Sequence, residues 1–390
     1  MTKKKFLENF GRSETLWMYA CARCGECVDV CPVYKETEDK YTAPGFKIKK
    51  MRGLITKQLL PFTGSPDKET IEKLAKGLYD CTLCGRCWSV CPYNYDLVEL
   101  WEKARESAFE NGLGLEAHSQ MIASLEAENN IFNRPHDGRR KWATGADVPI
   151  GQKAEVVFFV GCLMSYRGQL KSSAKAMATI MNAAGEKWTL LENEVCCGVP
   201  MKFSGGIENM EELMQANVSA IEATGAKKIV FSCPGCYRMF KQEYSKLLGN
   251  RIELVHSTEL INSYLKSGKI KLKKSNEVIT YHDPCELSRL TGIIEEPRNI
   301  FAKLTNNYVE LPNNKFNVEC CGGGGLYKAA DIDKSLDIAK KRVGQAEKKR
   351  ASTLTTACPS CYMTLNQAAR VKKSEVKVSD FAEVVAQMIE

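Results

Sequence analysis

Val195-Cys196-Cys197-Gly198 decides how this chain is read, because its adjacent cysteines return as Glu319-Cys320-Cys321-Gly322. Neighbouring cysteines are poor disulfide partners for each other, since their side chains diverge and the geometry of a bridge is narrow. Their company gives them meaning. Cys162 stands upstream and Cys233-Pro-Gly-Cys236 downstream, and the second copy runs Cys285, Cys320-Cys321, Cys358-Pro-Ser-Cys361. The spacing is kept almost to the residue, 162 to 285, 196 to 320 and 233 to 358. Five cysteines in one pattern, written twice, signal a metal site.

The same repeat organises the last two thirds of the chain. Val156-Val-Phe-Phe-Val160 precedes Cys162 and Val278-Ile-Thr-Tyr-His282 precedes Cys285, so each is expected as a buried strand that ends at a ligand. A helix is expected over 172–184 in one copy and 297–304 in the other. After each cysteine pair a second helix follows. Its apolar face is Met210, Leu213, Met214, Val218 and Ile221, then Ile332, Leu336, Ala339, Val343 and Ala346. A short strand, 228–232 or 352–356, then delivers Cys-Pro-x-Cys-Tyr. Strands alternating with helices predict two α/β lobes, 153–270 and 271–390. Each should hold a small parallel sheet with its cysteines at the carboxyl edge.

Upstream lies a different pattern. Cys21-Ala-Arg-Cys24-Gly-Glu-Cys27-Val-Asp-Val-Cys31-Pro32 fits the bacterial ferredoxin run and returns as Cys81-Thr-Leu-Cys84-Gly-Arg-Cys87-Trp-Ser-Val-Cys91-Pro92. In two-cluster ferredoxins the fourth cysteine of each run ligates the other cluster. One [4Fe-4S] cubane is therefore expected on Cys21, Cys24, Cys27 and Cys91, and the other on Cys81, Cys84, Cys87 and Cys31. Gly25 and Gly85 let the backbone approach sulfur, and the prolines redirect the chain after the last ligand. Paired zinc knuckles, the bland reading, would end after two C-x2-C pairs. Residues 1–111 are read as a helical two-cluster ferredoxin-like domain, broken at Pro44, Pro61 and Pro66. Asp96 can cap a helix with Leu97, Leu100, Trp101, Ala104 and Ala108 on one face, stopped at Asn111-Gly112. Trp88 and Trp101 are expected to pack around the clusters. Residues 112–152 read as a linker in which a short helix-like stretch through Met121 and Leu125 gives way to the loop 133–145, with His136 as an exposed loop histidine.

Bulk properties set the remaining bounds. The 390 residues suffice for two or three domains, and 44% apolar with 26% charged residues is ordinary for a globular protein. The 18 cysteines are not ordinary, and such a number in a long chain argues against a secreted disulfide scaffold. The start, Met1-Thr-Lys-Lys-Lys-Phe-Leu, has no apolar run behind its basic residues, so no signal peptide is expected. The most apolar stretch, Val156 to Met164, is far short of the ~20 residues that span a bilayer. A cytoplasmic protein with no transmembrane segment of its own is expected. The formal charge of +8 falls to about −2 once eighteen thiolates and four cluster cores of about +2 each are counted, so nucleic acid is not an expected partner. Lys47-Ile-Lys-Lys50 and Lys271-Leu-Lys-Lys274 read as solvated faces.

With both patterns in view, the chain resembles the iron–sulfur subunits that carry two CCG cysteine-rich domains, and in layout it is similar to the D-type subunits of heterodisulfide reductase. All 18 cysteines take part in the resemblance. It implies two noncubane [4Fe-4S] clusters, one on Cys162, Cys196, Cys197, Cys233 and Cys236 and one on Cys285, Cys320, Cys321, Cys358 and Cys361. Five thiolates exceed what a cubane takes, which suits an open or fused cluster with an iron able to accept a sulfur ligand. The resemblance implies an oxidoreductase of anaerobic metabolism. It would use two electrons to cleave a disulfide through iron-bound sulfur, or oxidise a dithiol, as part of a complex. The connector with Tyr41-Thr-Ala-Pro-Gly-Phe46 also makes the chain similar to the iron–sulfur subunits of glycolate oxidase and anaerobic glycerol-3-phosphate dehydrogenase. In those, a flavoprotein feeds electrons toward a quinone-linked acceptor. Partners are therefore expected among a flavoprotein dehydrogenase, an electron-transfer flavoprotein or a membrane b-type cytochrome. The last would place the chain on the inner membrane face. A cluster-bearing scaffold or redox sensor is the reading from a third class.

Two further stretches invite function. Cys321-Gly-Gly-Gly-Gly325 lacks the Lys-Ser/Thr of a phosphate loop and is expected to give close backbone approach to a cluster. His282, three residues before Cys285, is offered either as a proton donor to a leaving thiolate or as a hydrogen-bonding neighbour of a ligand. Tyr237 and Tyr362, each after a Cys-Pro-x-Cys, pose the same choice, and His256 is expected to be structural.

Overall fold

Valine, isoleucine, phenylalanine and threonine runs build two sheets of four parallel strands each in the computed structural model, which describes residues 6–60 and 67–390. The expected breaks at Pro61 and Pro66, and residues 1–5 of the basic start, lie outside the described residues. The chain divides into two units. One takes the chain up to Ile122 together with Pro200–Glu208 and Gly322–Ile338; the other takes Ala123–Val199, Asn209–Cys321 and Ala339–Glu390.

The first unit is helical. Helices Arg12–Ala20, Pro44–Leu59, Lys68–Tyr79 and Leu97–Glu110 surround the two ferredoxin runs. Each run turns through a one-turn helix, Glu26–Asp29 or Arg86–Ser89, opened by a left-handed glycine: Gly25 at φ 93° and Gly85 at φ 70°. Asp96 caps its helix as expected, accepting from the N–H of Val98 at 2.9 Å and of Glu99 at 3.1 Å. A cap of this kind contributes about 1 kcal/mol. Leu97, Leu100, Trp101, Ala104 and Ala108 form its buried face. The buried Arg105 guanidinium donates to five carbonyls, those of Leu78, Tyr79, Cys81, Phe203 and Gly325, and so fastens two distant chain segments to this unit. Cys31, Val33, Tyr327 and Ile338 share one core cluster.

In the second unit the first sheet joins β1 (Val156–Phe159), β2 (Trp188–Thr189), β3 (Lys228–Phe231) and β4 (Glu253–His256) in the order β2-β1-β3-β4. The second joins β5 (Ile279–Tyr281), β6 (Tyr308–Glu310), β7 (Thr353–Thr356) and β8 (Lys377–Asp380) in the order β6-β5-β7-β8. Both are doubly wound, with the change of direction between β1 and β3, and between β5 and β7. At that switch point the loops after neighbouring strands part and leave a crevice at the carboxyl ends. Cys162 and Cys233 follow β1 and β3, while Cys285 and Cys358 follow β5 and β7.

The lobes pack reciprocally. Helix Lys171–Ala183 of the first lobe lies against Phe381–Ala386 of the second, and Ser257–Ser267 of the first against Glu295–Leu304 of the second. The helices that carry cysteines also meet crosswise, Pro234–Met239 with Cys285–Thr291 and Gly161–Tyr166 with Pro359–Lys372. This is the self-complementary arrangement of a two-fold interface, made here by one chain.

Four expectations need revision. Ile332, placed on a core face, is 48% exposed at the start of helix Ile332–Lys348, while Leu336, Ala339, Val343 and Ala346 are buried. Lys47, read as part of a solvated face, is buried because helix Pro44–Leu59 turns it inward, whereas Lys271, Lys273 and Lys274 are exposed. The stretch through Met121 and Leu125 is helical as expected, Glu116–Glu128, but the loop after it holds a 3-10 turn, His136–Ala143, whose Arg139 and Trp142 are buried. His136 is half-buried there, with Nε2 3.2 Å from the Glu192 carbonyl.

Candidate metal centres

None of the 18 cysteines, all among the described residues, is in a disulfide, and they fall into four groups. In the helical unit a cavity of about 250 Å³ is lined by Cys21, Cys24, Cys27 and Cys91, with Phe46, Tyr93 and Tyr95 around them. A tighter cavity is lined by Cys31, Cys81, Cys84 and Cys87, with Lys47 and Trp101. The crossed grouping follows from the two runs packing side by side, so that the fourth cysteine of each leaves its own turn and reaches its neighbour's. Burial and the nearby Cys21 push the Cys27 thiol up to about 11. Burial likewise pushes Cys31 up to about 11, against the pull of Lys47. Four such sulfurs cannot ionise together unless positive charge enters among them, and a metal core brings that charge.

Lys47 is the buried cation of the second group. Its Nζ donates to the Gly77 carbonyl at 3.3 Å and lies 4.7 Å over the Trp101 ring. Trp88 is half-buried, its indole N–H bonded to the Asn94 side chain at 2.9 Å. Gly324 and Gly325 press on the backbone of the second run. A Cβ at Gly324 would stand 2.6 Å from the Thr82 carbonyl oxygen. The glycine loop does require close backbone approach, and the partner is the Cys81–Thr82 backbone.

Each α/β lobe gathers five sulfurs. In the first, Cys162, Cys196, Cys197 and Cys236 are buried and Cys233 is half-buried. In the second, Cys285, Cys320, Cys321, Cys358 and Cys361 are all buried. The Cys197 and Cys236 sulfurs lie 3.2 Å apart, and so do those of Cys321 and Cys361. Hydrogen bonds from Cys196 and Cys236 pull Cys197 down to about 6, while sharing with Cys197 pushes Cys236 up. Around the first pair the chain is held tightly. The Val195 N–H donates to Asn217, whose amide donates to the Cys196 carbonyl, and the Tyr244 hydroxyl donates to the Cys197 carbonyl at 3.2 Å. Sulfur-only donor sets of four, four, five and five suit iron–sulfur groups, and in the two lobes nearly all of these sulfurs are buried, whereas Cys24 of the first set is exposed.

The residues around the two five-sulfur groups differ. In the first lobe Arg139 donates from Nη2 to Cys162 Sγ at 3.2 Å and from Nη1 to Glu194 at 2.6 Å. Glu194 also accepts from the N–H groups of Val160 and Gly161, where the chain turns into the Cys162 helix. Burial works against the Arg139 charge, but Cys162 and Glu194 outweigh it and hold the guanidinium protonated. In the second lobe a ring nitrogen of His282 and the sulfurs of Cys321 and Cys361 all lie within 4.8 Å of one another. Arg342 Nε donates to His282 Nδ1 at 3.2 Å. Burial, then the Arg342 charge, pull His282 down to about 3, so the ring is neutral. Tyr237 and Tyr362 are buried beside their Cys-Pro-x-Cys turns. His256 caps helix Ser257–Ser267 through Nδ1, a structural role as expected.

Nothing in the sequence marks Arg139, Lys47 or Arg342 as site residues. Arg139 stands in Gly-Arg-Arg-Lys with nothing to separate it from Arg140 and Lys141. Glu194, also missed, does carry a signal: an acidic residue precedes both cysteine pairs, Glu194 two positions before Cys196 and Glu319 one before Cys320.

The cysteine-rich CCG domain family matches residues 156–241 and 279–366, and the 4Fe-4S dicluster domain family matches 17–95. The chain is 34% identical, over 98% of its length and 96% of the relative's, to the D-type subunit of dihydromethanophenazine:CoB–CoM heterodisulfide reductase from Methanosarcina acetivorans. It belongs to the family of heterodisulfide reductase D-type subunits. Members of this family are iron–sulfur oxidoreductases, and this chain is one of them. It is also 26% identical to EtfAB:quinone oxidoreductase of Syntrophomonas wolfei, over 98% of the chain and 60% of that protein. A crystal structure of a hypothetical protein from Helicobacter pylori shares the fold, with TM-score 0.55 at 11% identity, covering 97% of this chain and 73% of that one. No helix among the described residues is long and apolar enough to cross a membrane.

Proposed function

We propose that this subunit passes electrons through two cubane sites to two noncubane sites at which a disulfide is reduced to two thiols, or a dithiol is oxidised in reverse. The observation that carries this reading is the completeness and pairing of the CCG repeats. Both keep five cysteines, both bring two sulfurs to 3.2 Å, and their cysteine-bearing helices meet crosswise. Two like sites facing each other fit a substrate with two like ends. The overall change is RS–SR′ plus two electrons and two protons, giving RSH and R′SH.

Cys21, Cys24, Cys27 and Cys91 would hold one cubane, and Cys31, Cys81, Cys84 and Cys87 the other. The five cysteines from Cys162 to Cys236 and the five from Cys285 to Cys361 would hold the two noncubane [4Fe-4S] groups. When bound, these groups supply electrons and an iron able to take a sulfur ligand. Lys47 and Arg139 set buried positive charge against thiolates in the helical unit and the first lobe, respectively. The buried walls exclude water, which would compete with a thiolate product.

The experiment supplies the purified, fully loaded protein with a reduced dye and low-molecular-weight disulfides, starting with the CoB–CoM heterodisulfide that the relative's name specifies. Two thiols per disulfide and about sixteen iron atoms per chain are expected. No thiol from any disulfide, with rapid reduction by an electron-transfer flavoprotein, would overturn it. That outcome fits a second reading, a conduit between a flavoprotein and a quinone-linked acceptor. It draws support from the likeness to EtfAB:quinone oxidoreductase. A flavoprotein dehydrogenase, an electron-transfer flavoprotein or a membrane b-type cytochrome would be the partner, the last bringing the subunit to the inner face of the membrane.

A further inference from the structure

His282 leaves β5 three residues before Cys285 and is 1% exposed. Its Nδ1 receives the Nε–H of Arg342 at 3.2 Å. A guanidinium has only donors and keeps its charge, so Nδ1 must be the acceptor in this pair. A ring that accepts at Nδ1 is neutral and carries its proton on Nε2. Nε2 is buried and has no hydrogen-bond partner among the described residues. Cys321 and Cys361 place two sulfurs beside the ring, and a buried N–H without an acceptor is costly enough to be uncommon.

We infer that His282 serves the second CCG site as a neutral N–H donor to sulfur, a positioning residue that raises the reduction potential of that site. This rests on the reading that the second repeat holds an iron–sulfur group. Direct ligation would need a lone pair on Nε2, which this tautomer does not offer. Release of the Nε2 proton would leave an imidazolate among thiolates, so the ring is no proton source either. An N–H···S bond draws charge from sulfur and favours the more negative, reduced state. The matching position in the first lobe, three residues before Cys162, is Phe159, which cannot donate. There the sulfur contact is made by Arg139 instead.

The test is a redox titration of the full chain followed by electron paramagnetic resonance, on wild type, His282→Gln and His282→Leu. Glutamine presents an amide N–H in place of Nε2–H, and leucine presents none. His282→Leu should move one midpoint downward by about tenfold in the reduction equilibrium, 59 mV for one electron. His282→Gln should move it by much less. Wild type labelled with 15N-histidine should show only a weak nitrogen coupling, together with a deuteron taken up from heavy water. A strong coupling from directly bonded nitrogen would overturn the inference in favour of ligation. An unshifted midpoint in His282→Leu, with the site's signal present, would overturn it in favour of a packing role. If His282→Leu fails to fold, the wild-type spectra and the glutamine midpoint still decide. Iron near eight atoms per chain in wild type, with no signal altered in Cys321→Ala, would instead overturn the reading it rests on.

Discussion

The two α/β lobes carry the same strand order, the same five-cysteine register and the same 3.2 Å sulfur pair, yet their sulfurs have different neighbours. The first lobe sets a buried ion pair, Arg139 with Glu194, against Cys162. The second sets a neutral histidine, oriented by Arg342, beside Cys321 and Cys361. The ends of the outer strands differ too. His256 caps the last helix of the first lobe, and Asp380 does the same in the second. Cysteine positions after the central strands follow from the strand ends and are alike wherever the fold is alike. The groups that tune them come from segments outside the repeat, or from single positions within it, and need not match.

The harshest test of likeness is removal of one matching cysteine in each lobe. Changes in groups around a metal ligand cost ~10–100-fold, so Cys197→Ala and Cys321→Ala should each lower disulfide reduction by more than about 100-fold. Turnover that survives in one variant and not in the other would break the equivalence of the lobes. Next in size is Glu194→Ala, which leaves the Arg139 guanidinium buried without its partner. It should destabilise the protein by about 3–5 kcal/mol in anaerobic guanidinium unfolding. A much smaller loss would show that Cys162 alone can hold Arg139.

The strand-end caps predict opposite pH dependences. Burial, helped by Glu383, pushes Asp380 up from 3.8 to about 7, so the folded state binds the proton more tightly than the unfolded one. Its contribution is complete below about pH 3.8 and is lost as pH rises through 7. Asp380→Asn keeps the cap and should match wild type near pH 4, then exceed it at pH 8 by roughly 2–4 kcal/mol. His256, pulled from 6.5 down to about 3 by burial, has the reverse sign. There the unfolded state binds the proton more tightly, and stability rises between those values. Parallel stability curves for wild type and Asp380→Asn would remove this contrast. Smallest is Glu383→Ala. It loses hydrogen bonds from Ser172 at 2.7 Å and Ser173 at 2.8 Å where the lobes meet, and should cost about 1 kcal/mol. No measurable loss would mean that apolar packing alone holds that half of the reciprocal interface.

What can be read in advance follows a simple physical line. β1, β3, β5 and β7 are expected at nearly their observed bounds because each lies inside its sheet, with neighbours on both sides and buried residues throughout or nearly so. β2, β4, β6 and β8 are not expected, and all four are edge strands. Tyr308-Val-Glu310 and Lys377-Val-Ser-Asp380 show why: an edge needs little apolar surface, and so writes no apolar run. Lys47 misleads for a related reason. It belongs to a basic cluster, and only the turn of its helix sends it inward.

The sequence by itself determined the cysteine inventory and the repeat, because cysteine spacing along a chain is covalent information and no packing can alter it. It also set the central strands and the capped helix at Asp96. Tertiary structure decided the rest. It brought Arg139 from an unremarkable basic stretch onto Cys162. It also placed Arg342 so that His282 carries its proton on the nitrogen it does not share. These outcomes depend on which surfaces meet when apolar faces are buried, and that is decided only when the whole unit folds.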